Sequence, residues 1–111
     1  MNNMITIKLF CGQGMSTMMM VKKMEEAAKK RGIEVTIGAY AESQLKNHLD
    51  GLDLALLGPQ VAHKLAGAKK ICQPAGVPVA VIPSVDYGMM NGEKVLDFAL
   101  KLIEENKKSQ A

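Results

Sequence analysis

Short apolar runs alternate with amphipathic stretches along the whole chain, and this alternation constrains the fold more than any other feature. Runs of aliphatic and β-branched residues predict buried strands at residues 6–10, 34–39, 52–57 and 79–82. Strands that are separated by helices build a parallel sheet that is covered by helices on both faces. The pattern therefore predicts an α/β fold.

The stretches between the runs have helical periodicity. They predict a first helix over residues 16–31, ended by Gly32, a short helix over 43–48, another over 60–72 and a last one over 91–108. The buried face of the first helix follows one helical stripe: Met20, Val21, Met24, Ala27 and Ala28. A chain of 111 residues accommodates one unit of this kind, so we expect a single domain over residues 1–111.

The order of the strands follows from the handedness of their connections. Parallel strands joined by helices cross over in a right-handed sense, and the simplest arrangement of four is an open sheet of order 2-1-3-4. This is a Rossmann-like architecture, similar to that of low-molecular-weight tyrosine phosphatases. Ligands of such sheets bind beyond the carboxyl ends of the strands, where the strand order reverses. Residues 11–17 and 58–60 are expected to meet at that point.

Composition argues against several classes of function. The two cysteines, Cys11 and Cys72, have neither CxxC nor Cys/His spacing, so no metal site is expected. The first residues lack a signal-peptide pattern, and no run approaches the ~20 apolar residues of a membrane-spanning helix; we expect a cytoplasmic protein without direct membrane insertion. The net charge of +3 is spread over scattered basic pairs, and few aromatic residues could stack on bases, which argues against nucleic-acid binding.

Cys11 stands where the first predicted strand ends and a glycine-rich turn enters a helix. A helix N-terminus favours negative charge, and so it stabilises the thiolate, which is the nucleophilic form of cysteine. Gly12 and Gly14 allow successive N–H groups to converge into an anion-binding nest, and Ser16 and Thr17 add hydroxyl donors. We therefore expect Cys11 to carry a phosphoryl group at this helix end. The expected phosphate-binding residues are Gly12, Gln13, Gly14, Met15, Ser16 and Thr17.

This loop can be compared with the Cys-x5-Arg-Ser/Thr loop of low-molecular-weight tyrosine phosphatases, which also forms a cysteinyl-phosphate. The arginine of that motif binds the phosphate through two hydrogen bonds and stabilises the transition state. Thr17 occupies its position in this chain, and Asp86 is the one carboxylate that we considered as a general acid. A cysteinyl-phosphate on Cys11 is therefore expected to persist until an acceptor arrives, as in a carrier.

Three stretches of the chain carry a resemblance to a known family: CGQGMST at residues 11–17, LLGPQ at 56–60 and SVDYG at 84–88. They resemble the IIB components of the lactose, cellobiose and chitobiose family of the phosphoenolpyruvate-dependent sugar phosphotransferase system, over nearly the whole chain. The resemblance implies that Cys11 accepts a phosphoryl group from a phosphohistidine on a IIA protein. It also implies transfer to a disaccharide of the cellobiose, chitobiose or lactose type on a membrane IIC protein, with no cofactor.

Five residues form the expected partner surface, and most of them have a simpler interpretation as well. Met18 and Met19 lie off the buried stripe, where they either pack against neighbouring loops or form an adaptable patch that binds partners. Gln60 either lines the phosphate site or caps its helix, and His63 is either a surface histidine or a second phosphoryl acceptor. Tyr87 completes this surface.

Other interpretations of the whole chain stay open at this stage. Cys11 could be a buried structural cysteine, as Cys72 is expected to be at the far end of its helix. The chain could also be a hydrolase of the phosphatase or arsenate reductase type, which Thr17 disfavours and which hydrolysis of an aryl phosphate would reveal. A third interpretation is a regulatory module that binds a partner only in its phosphorylated state.

Overall fold

The computed structural model describes residues 4–12 and 15–110, and these residues form the predicted alternation of strands and helices. The strands are β1 (Ile5–Cys11), β2 (Val35–Ala41), β3 (Leu54–Leu57) and β4 (Val79–Val81). The α-helices are α1 (Met15–Lys30), α2 (Leu65–Cys72), α3 (Ser84–Gly88) and α4 (Gly92–Gln110). In the described part of the chain, 3-10 helices occupy Glu42–Asn47, Pro59–Lys64 and Gln73–Ala75.

The sheet has the predicted order, β2-β1-β3-β4, and its pairings are parallel. β1 is hydrogen-bonded on both edges: Phe10 lies opposite Tyr40 of β2 on one side and Leu57 of β3 on the other. The strand order reverses between β1 and β3, so the carboxyl ends of these two strands are the predicted place for a ligand. Both the α/β fold class and the 2-1-3-4 order are thereby confirmed.

The sheet separates two apolar clusters because successive side chains of a strand point to opposite faces. Ile7 and Leu9 of β1 pack on one face, together with the buried stripes of α1 and α4. Phe10 packs on the other face, with the helical segment that follows β3 and with Cys72 at the end of α2. This alternation in β1 fixes the direction in which its last residues point.

The structure differs from the sequence prediction in three connections. The helix expected over residues 60–72 is divided: a 3-10 helix precedes α2, and Val61 has non-helical backbone angles (φ −116°, ψ 26°). The strand expected from residue 52 begins at Leu54, because the Asp53 carboxylate accepts a hydrogen bond from the Thr6 N–H at 2.8 Å. Residues 84–88, expected to be a loop, form the short helix α3.

α1 and α4 approach each other closely at the start of α4. Gly92, the first residue of α4, is buried, and a Cβ atom at this position would lie 2.4 Å from the carbonyl carbon of Lys23. Real Cβ atoms essentially never approach backbone this closely. The packing of these two helices therefore requires the absence of a side chain at position 92.

Candidate active site

Cys11 is the last residue of β1, and α1 begins a few residues further on, at Met15. The cysteine is 3% exposed. Because β1 is paired on both edges, the position of this thiol is fixed by the two neighbouring strands. Cys11 thus lies where the sequence predicted it, at the carboxyl end of a central strand and before a helix N-terminus. Gln13 and Gly14 of the predicted loop lie outside the described residues.

The connection after β3 packs directly against Cys11. The Gly58 N–H donates to the carbonyl oxygen of Phe10 at 2.8 Å, which continues the β1–β3 pairing beyond the last residue of β3. A Cβ atom at position 58 would lie 3.1 Å from the Cβ of Cys11 and 2.7 Å from the side-chain oxygen of Gln60. The two connections that were expected to meet at the switch point do meet, and a side chain at position 58 would displace its neighbours at this contact.

Three hydroxyl groups lie in a continuous hydrogen-bonded chain that ends on the sulfur of Cys11. The sulfur is hydrogen-bonded to Oγ1 of Thr17, and this oxygen is hydrogen-bonded to the Tyr87 Oη at 3.1 Å. The same phenolic oxygen is 2.9 Å from Oγ of Ser16. These hydrogen bonds link α3 to the first turn of α1 and to the thiol. Among the described residues, no buried side-chain nitrogen or oxygen lacks a partner.

Tyr87 therefore has a different place from the one the sequence suggested. It was expected on a partner surface, yet it is only 6% exposed, and its ring belongs to the cluster formed by Ile7, Leu9 and the α1 and α4 stripes. The reason is that residues 84–88 form a helix, which turns the ring inward. The SVDYG motif marked this segment, but no periodicity in five residues indicates which side chain is buried.

A small cavity opens beside the thiol. It has a volume of about 170 Å³ and is lined by Cys11, Gly12, Thr17 and Met18 and by residues 39–41 at the end of β2. Small-molecule sites usually have volumes of about 300 to 1,000 Å³. The cavity is thus too small to enclose a disaccharide, although it lets a small group reach the sulfur.

Exposed apolar side chains lie on the first turns of α1 and on and after α3. Met18 and Met19 of α1 are 65% and 57% exposed, which excludes the interpretation that they pack inside the domain. Val85 of α3 and Met89 immediately after it are 73% and 75% exposed, and these two were not expected from the sequence. Since the Tyr87 bonds join α3 to the first turn of α1, the four side chains belong to adjoining elements.

Gln60 and His63 are both exposed in the 3-10 helix that follows β3. Gln60 is next to the site, because its side-chain oxygen and the Cβ of Cys11 would both lie within 3.1 Å of a Cβ atom built at Gly58. Asp86, which we considered as a general acid, lies partly exposed in α3.

Cys72 is separated from this site. It ends α2, and the segment Gln73–Ala75 that follows leads to the start of β4, at the amino ends of the parallel strands, whereas Cys11 lies at their carboxyl ends. Burial raises the pKa of the Cys72 thiol, so this cysteine stays protonated and unreactive at neutral pH. Both cysteines are among the described residues, and no disulfide joins them.

Two kinds of feature are absent from the described residues. Over residues 4–12 and 15–110, no group of three or more His, Cys, Asp or Glu side chains is arranged to hold a metal ion. In the same part of the chain, none of the helices is long and apolar enough to span a bilayer.

The chain has an open parallel sheet, and a buried thiol lies at the end of its central strand. These two features place it among the small Rossmann-like proteins that have a cysteine before their first helix. The family described as "PTS system, Lactose/Cellobiose specific IIB subunit" matches residues 6–98. The chain therefore belongs to the lactose/cellobiose IIB family of the sugar phosphotransferase system, whose members are phosphotransferases that work with IIA and IIC components.

Individual relatives agree with this assignment. The chain is 43% identical over 102 residues to the galactose-specific EIIB component of Lactococcus lactis subsp. cremoris (strain MG1363), a match that covers 87% of this chain and 94% of the relative. The cellobiose-specific EIIB component of Lactococcus lactis subsp. lactis (strain IL1403) has the same identity and coverage. The solution structure of a cellobiose-specific IIB component from Borrelia burgdorferi has 40% identity and a TM-score of 0.79, covering 96% of this chain and 97% of that one.

Proposed function

We propose that Cys11 is the phosphoryl carrier of this IIB component. The observation that carries the proposal is the position of its sulfur, at the end of the central strand, before α1 and in hydrogen-bond contact with the Thr17 hydroxyl. In the proposed reaction the sulfur attacks the phosphorus of a phosphohistidine on a IIA protein. The S–P bond forms, the P–N bond breaks, and the imidazole leaves with the electron pair.

The phosphoryl group on Cys11 is then held by the start of α1. We assign its binding to Gly12, Gln13, Gly14, Met15, Ser16 and Thr17, as the sequence predicted. Backbone N–H groups at a helix N-terminus and two hydroxyl groups suit a dianion. Thr17 is buried beside the sulfur and carries no charge, so the guanidinium that would promote hydrolysis is replaced by a neutral donor.

The acceptor in this proposal is a sugar bound by a membrane IIC protein. A sugar hydroxyl attacks the phosphorus and loses its proton to a base on the IIC protein or to water, the S–P bond breaks, and the sulfur leaves as a thiolate. A disaccharide of the cellobiose, chitobiose or lactose type fits the family, and two relatives are named for galactose and cellobiose. The cavity beside Cys11 is too small to hold a disaccharide, so the choice of sugar rests with the IIC protein.

The exposed apolar side chains around Cys11 suit successive docking of IIA and IIC proteins in the cytoplasm. Met18 and Met19 are flexible and polarizable, and such residues adapt to more than one partner. Val85 of α3 is also exposed, as are Gln60 and His63 in the 3-10 helix that follows β3. Tyr87, which is buried, is not part of it.

The function is tested by intact-mass spectrometry after incubation with phosphoenolpyruvate, the general phosphotransferase proteins and a IIA protein of the same family. We expect one added phosphoryl group on the wild type and none on Cys11→Ser. The unphosphorylated protein is also expected to hydrolyse an aryl phosphate no faster than buffer does. Modification at another residue, or rapid hydrolysis of the aryl phosphate, would contradict the carrier assignment.

Gly58 offers a test of the geometry at Cys11. In Gly58→Ala the new Cβ displaces the Cys11 side chain by a few tenths of an ångström, and a misplaced nucleophile is expected to slow phosphoryl transfer about 5- to 10-fold. The measurement is the rate of phosphorylation by the IIA protein. Gly67→Ala is the matched control, because no atom lies within 4 Å of a Cβ built at that position of α2. Equal rates in the two variants would show that this contact does not position the thiol.

A further inference from the structure

The hydroxyl chain at Cys11 has a direction that depends on the charge of the sulfur. A thiolate has no proton to give, so it accepts the hydrogen bond from the Thr17 hydroxyl. The oxygen of Thr17 can then accept the O–H of Tyr87, whose oxygen in turn accepts the O–H of Ser16. With this direction all three protons point along the chain toward the sulfur. When a protonated thiol donates to Thr17 Oγ1 instead, the Thr17 proton points away from the sulfur.

The phenol of Tyr87 strengthens the chain in the direction that ends on the thiolate. A phenolic O–H is a stronger donor than an alcohol O–H, because the ring withdraws electron density from its oxygen. When the Tyr87 O–H donates to Thr17 Oγ1, it therefore polarises the Thr17 O–H that donates to the sulfur of Cys11 more than an alcohol would. Bonds that are linked in this way polarise each other inside a protein, where the effective dielectric constant is low. The result is a stronger donor at the sulfur than Thr17 alone provides.

The phenol is held in place by the core as well as by its hydrogen bonds. The ring packs against the cluster that contains Ile7, Leu9 and the α1 stripe, and the Tyr87 N–H donates to the Pro83 carbonyl oxygen at 3.0 Å. A buried ring on a separate helix can hold its hydroxyl at a constant distance from Thr17. The phenolic oxygen of Tyr87 is thus held within hydrogen-bonding distance of the Thr17 hydroxyl.

We propose that Tyr87 is a positioning residue that orients the Thr17 hydroxyl proton toward Cys11 and so favours the thiolate form of the nucleophile. It acts through Thr17 and does not itself contact the sulfur in the described bonds. The inference deepens the proposed function, because the thiolate is the form that attacks the phosphohistidine. The thiol chemistry can nevertheless be measured without any partner protein.

The test is the pH dependence of Cys11 alkylation by iodoacetamide, with the modified cysteine identified by peptide mapping. In Tyr87→Phe the ring and its core contacts remain while the hydroxyl is lost. We expect the pH midpoint of alkylation to rise by about half a unit to one unit, because the hydrogen bond to the charged form is weakened. At a pH below the midpoints of both the wild type and Tyr87→Phe, the variant should be alkylated about 3- to 10-fold more slowly, because its thiolate fraction is smaller by that factor.

Tyr40→Phe is the matched control, because it removes another phenolic hydroxyl from a residue that lines the cavity beside Cys11. Tyr40 stacks on the His48 ring, with centroids 4.0 Å apart, and its ring end lies beside Gly38, outside the hydroxyl chain. The alkylation midpoint is expected to stay at the wild-type value in this variant. Thermal unfolding of both variants shows that each is folded at the assay temperature.

A double-mutant cycle separates positioning through Thr17 from a general structural effect. Thr17→Val keeps the shape of the side chain and removes its hydroxyl, so Tyr87→Phe should cause no further shift in that background. A shift in the wild-type background that disappears with Thr17→Val supports the proposal. No shift in either background, or the same shift in both, overturns it. Failure of the mass experiment with IIA would leave this result unchanged, so the two proposals fail separately.

Discussion

Cys11→Ser is expected to reduce sugar phosphorylation in a reconstituted phosphotransferase system on the order of 10⁴-fold or more, to the background rate. The serine hydroxyl is protonated at neutral pH and is a much weaker nucleophile than a thiolate. The substitution replaces sulfur by a smaller oxygen that can still bond to Thr17, so the fold and its thermal transition should change little. The transfer rate thus falls because the nucleophile is weaker, while the structure is retained.

Cys72→Ser is the control for this prediction. Cys72 is buried at the end of α2, before the start of β4, whereas Cys11 lies at the carboxyl end of β1. A hydroxyl placed there costs about 1 to 3 kcal/mol unless it finds a partner, so the melting temperature should fall. At a temperature where the variant is folded, its transfer rate is expected to be near that of the wild type. Equal loss of transfer in the two serine variants would count against Cys11 as the carrier.

Gly92→Ala is expected to produce the largest loss of stability among single-methyl additions to this chain. The new Cβ would overlap the backbone of Lys23, which cannot move away as a flexible side-chain end could. α1 and α4 must separate, and overpacking of this kind costs about 1 to 3 kcal/mol. The free energy of unfolding from urea titration should fall by that amount, and the melting temperature by about 5 to 15 °C for a domain of this size.

Gly67→Ala separates this clash from the general effect of replacing a helical glycine. A Cβ at position 67 meets open space within α2, and alanine favours the helix more than glycine does. Its unfolding free energy should be unchanged or slightly higher. If Gly92→Ala were as stable as Gly67→Ala, the close approach of α4 to Lys23 would not be a constraint in solution.

The parts of the fold that sequence patterns predicted are those in which periodicity and burial agree. The run at residues 6–10 contains the fully buried Ile7, Leu9 and Phe10, and the stripe of α1 contains the buried Met20 and Met24. The site at Cys11 followed from two local signals, a strand end and a glycine-rich turn before a helix. These signals are contained within a few neighbouring residues.

The parts that were missed depend on contacts between distant segments. Tyr87 and Thr17 are 70 positions apart, and their hydrogen bond arises only when α3 packs onto the start of α1. Likewise Asp53 leaves the strand pattern because its carboxylate bonds to Thr6, 47 positions away. Five residues of α3 are too few to show which face is buried. Neither contact has a signal in the local sequence.

The central place of β1 also gives Cys11 and the exposed side chains near it different mobility. Amides of a strand that is paired on both edges exchange with solvent mainly through unfolding of the whole domain, whereas exposed side chains change rotamer within picoseconds to nanoseconds. Cys11 belongs to such a strand, and Met18 and Val85 are exposed. The thiol thereby keeps its position while these apolar side chains adjust to the surface that they meet.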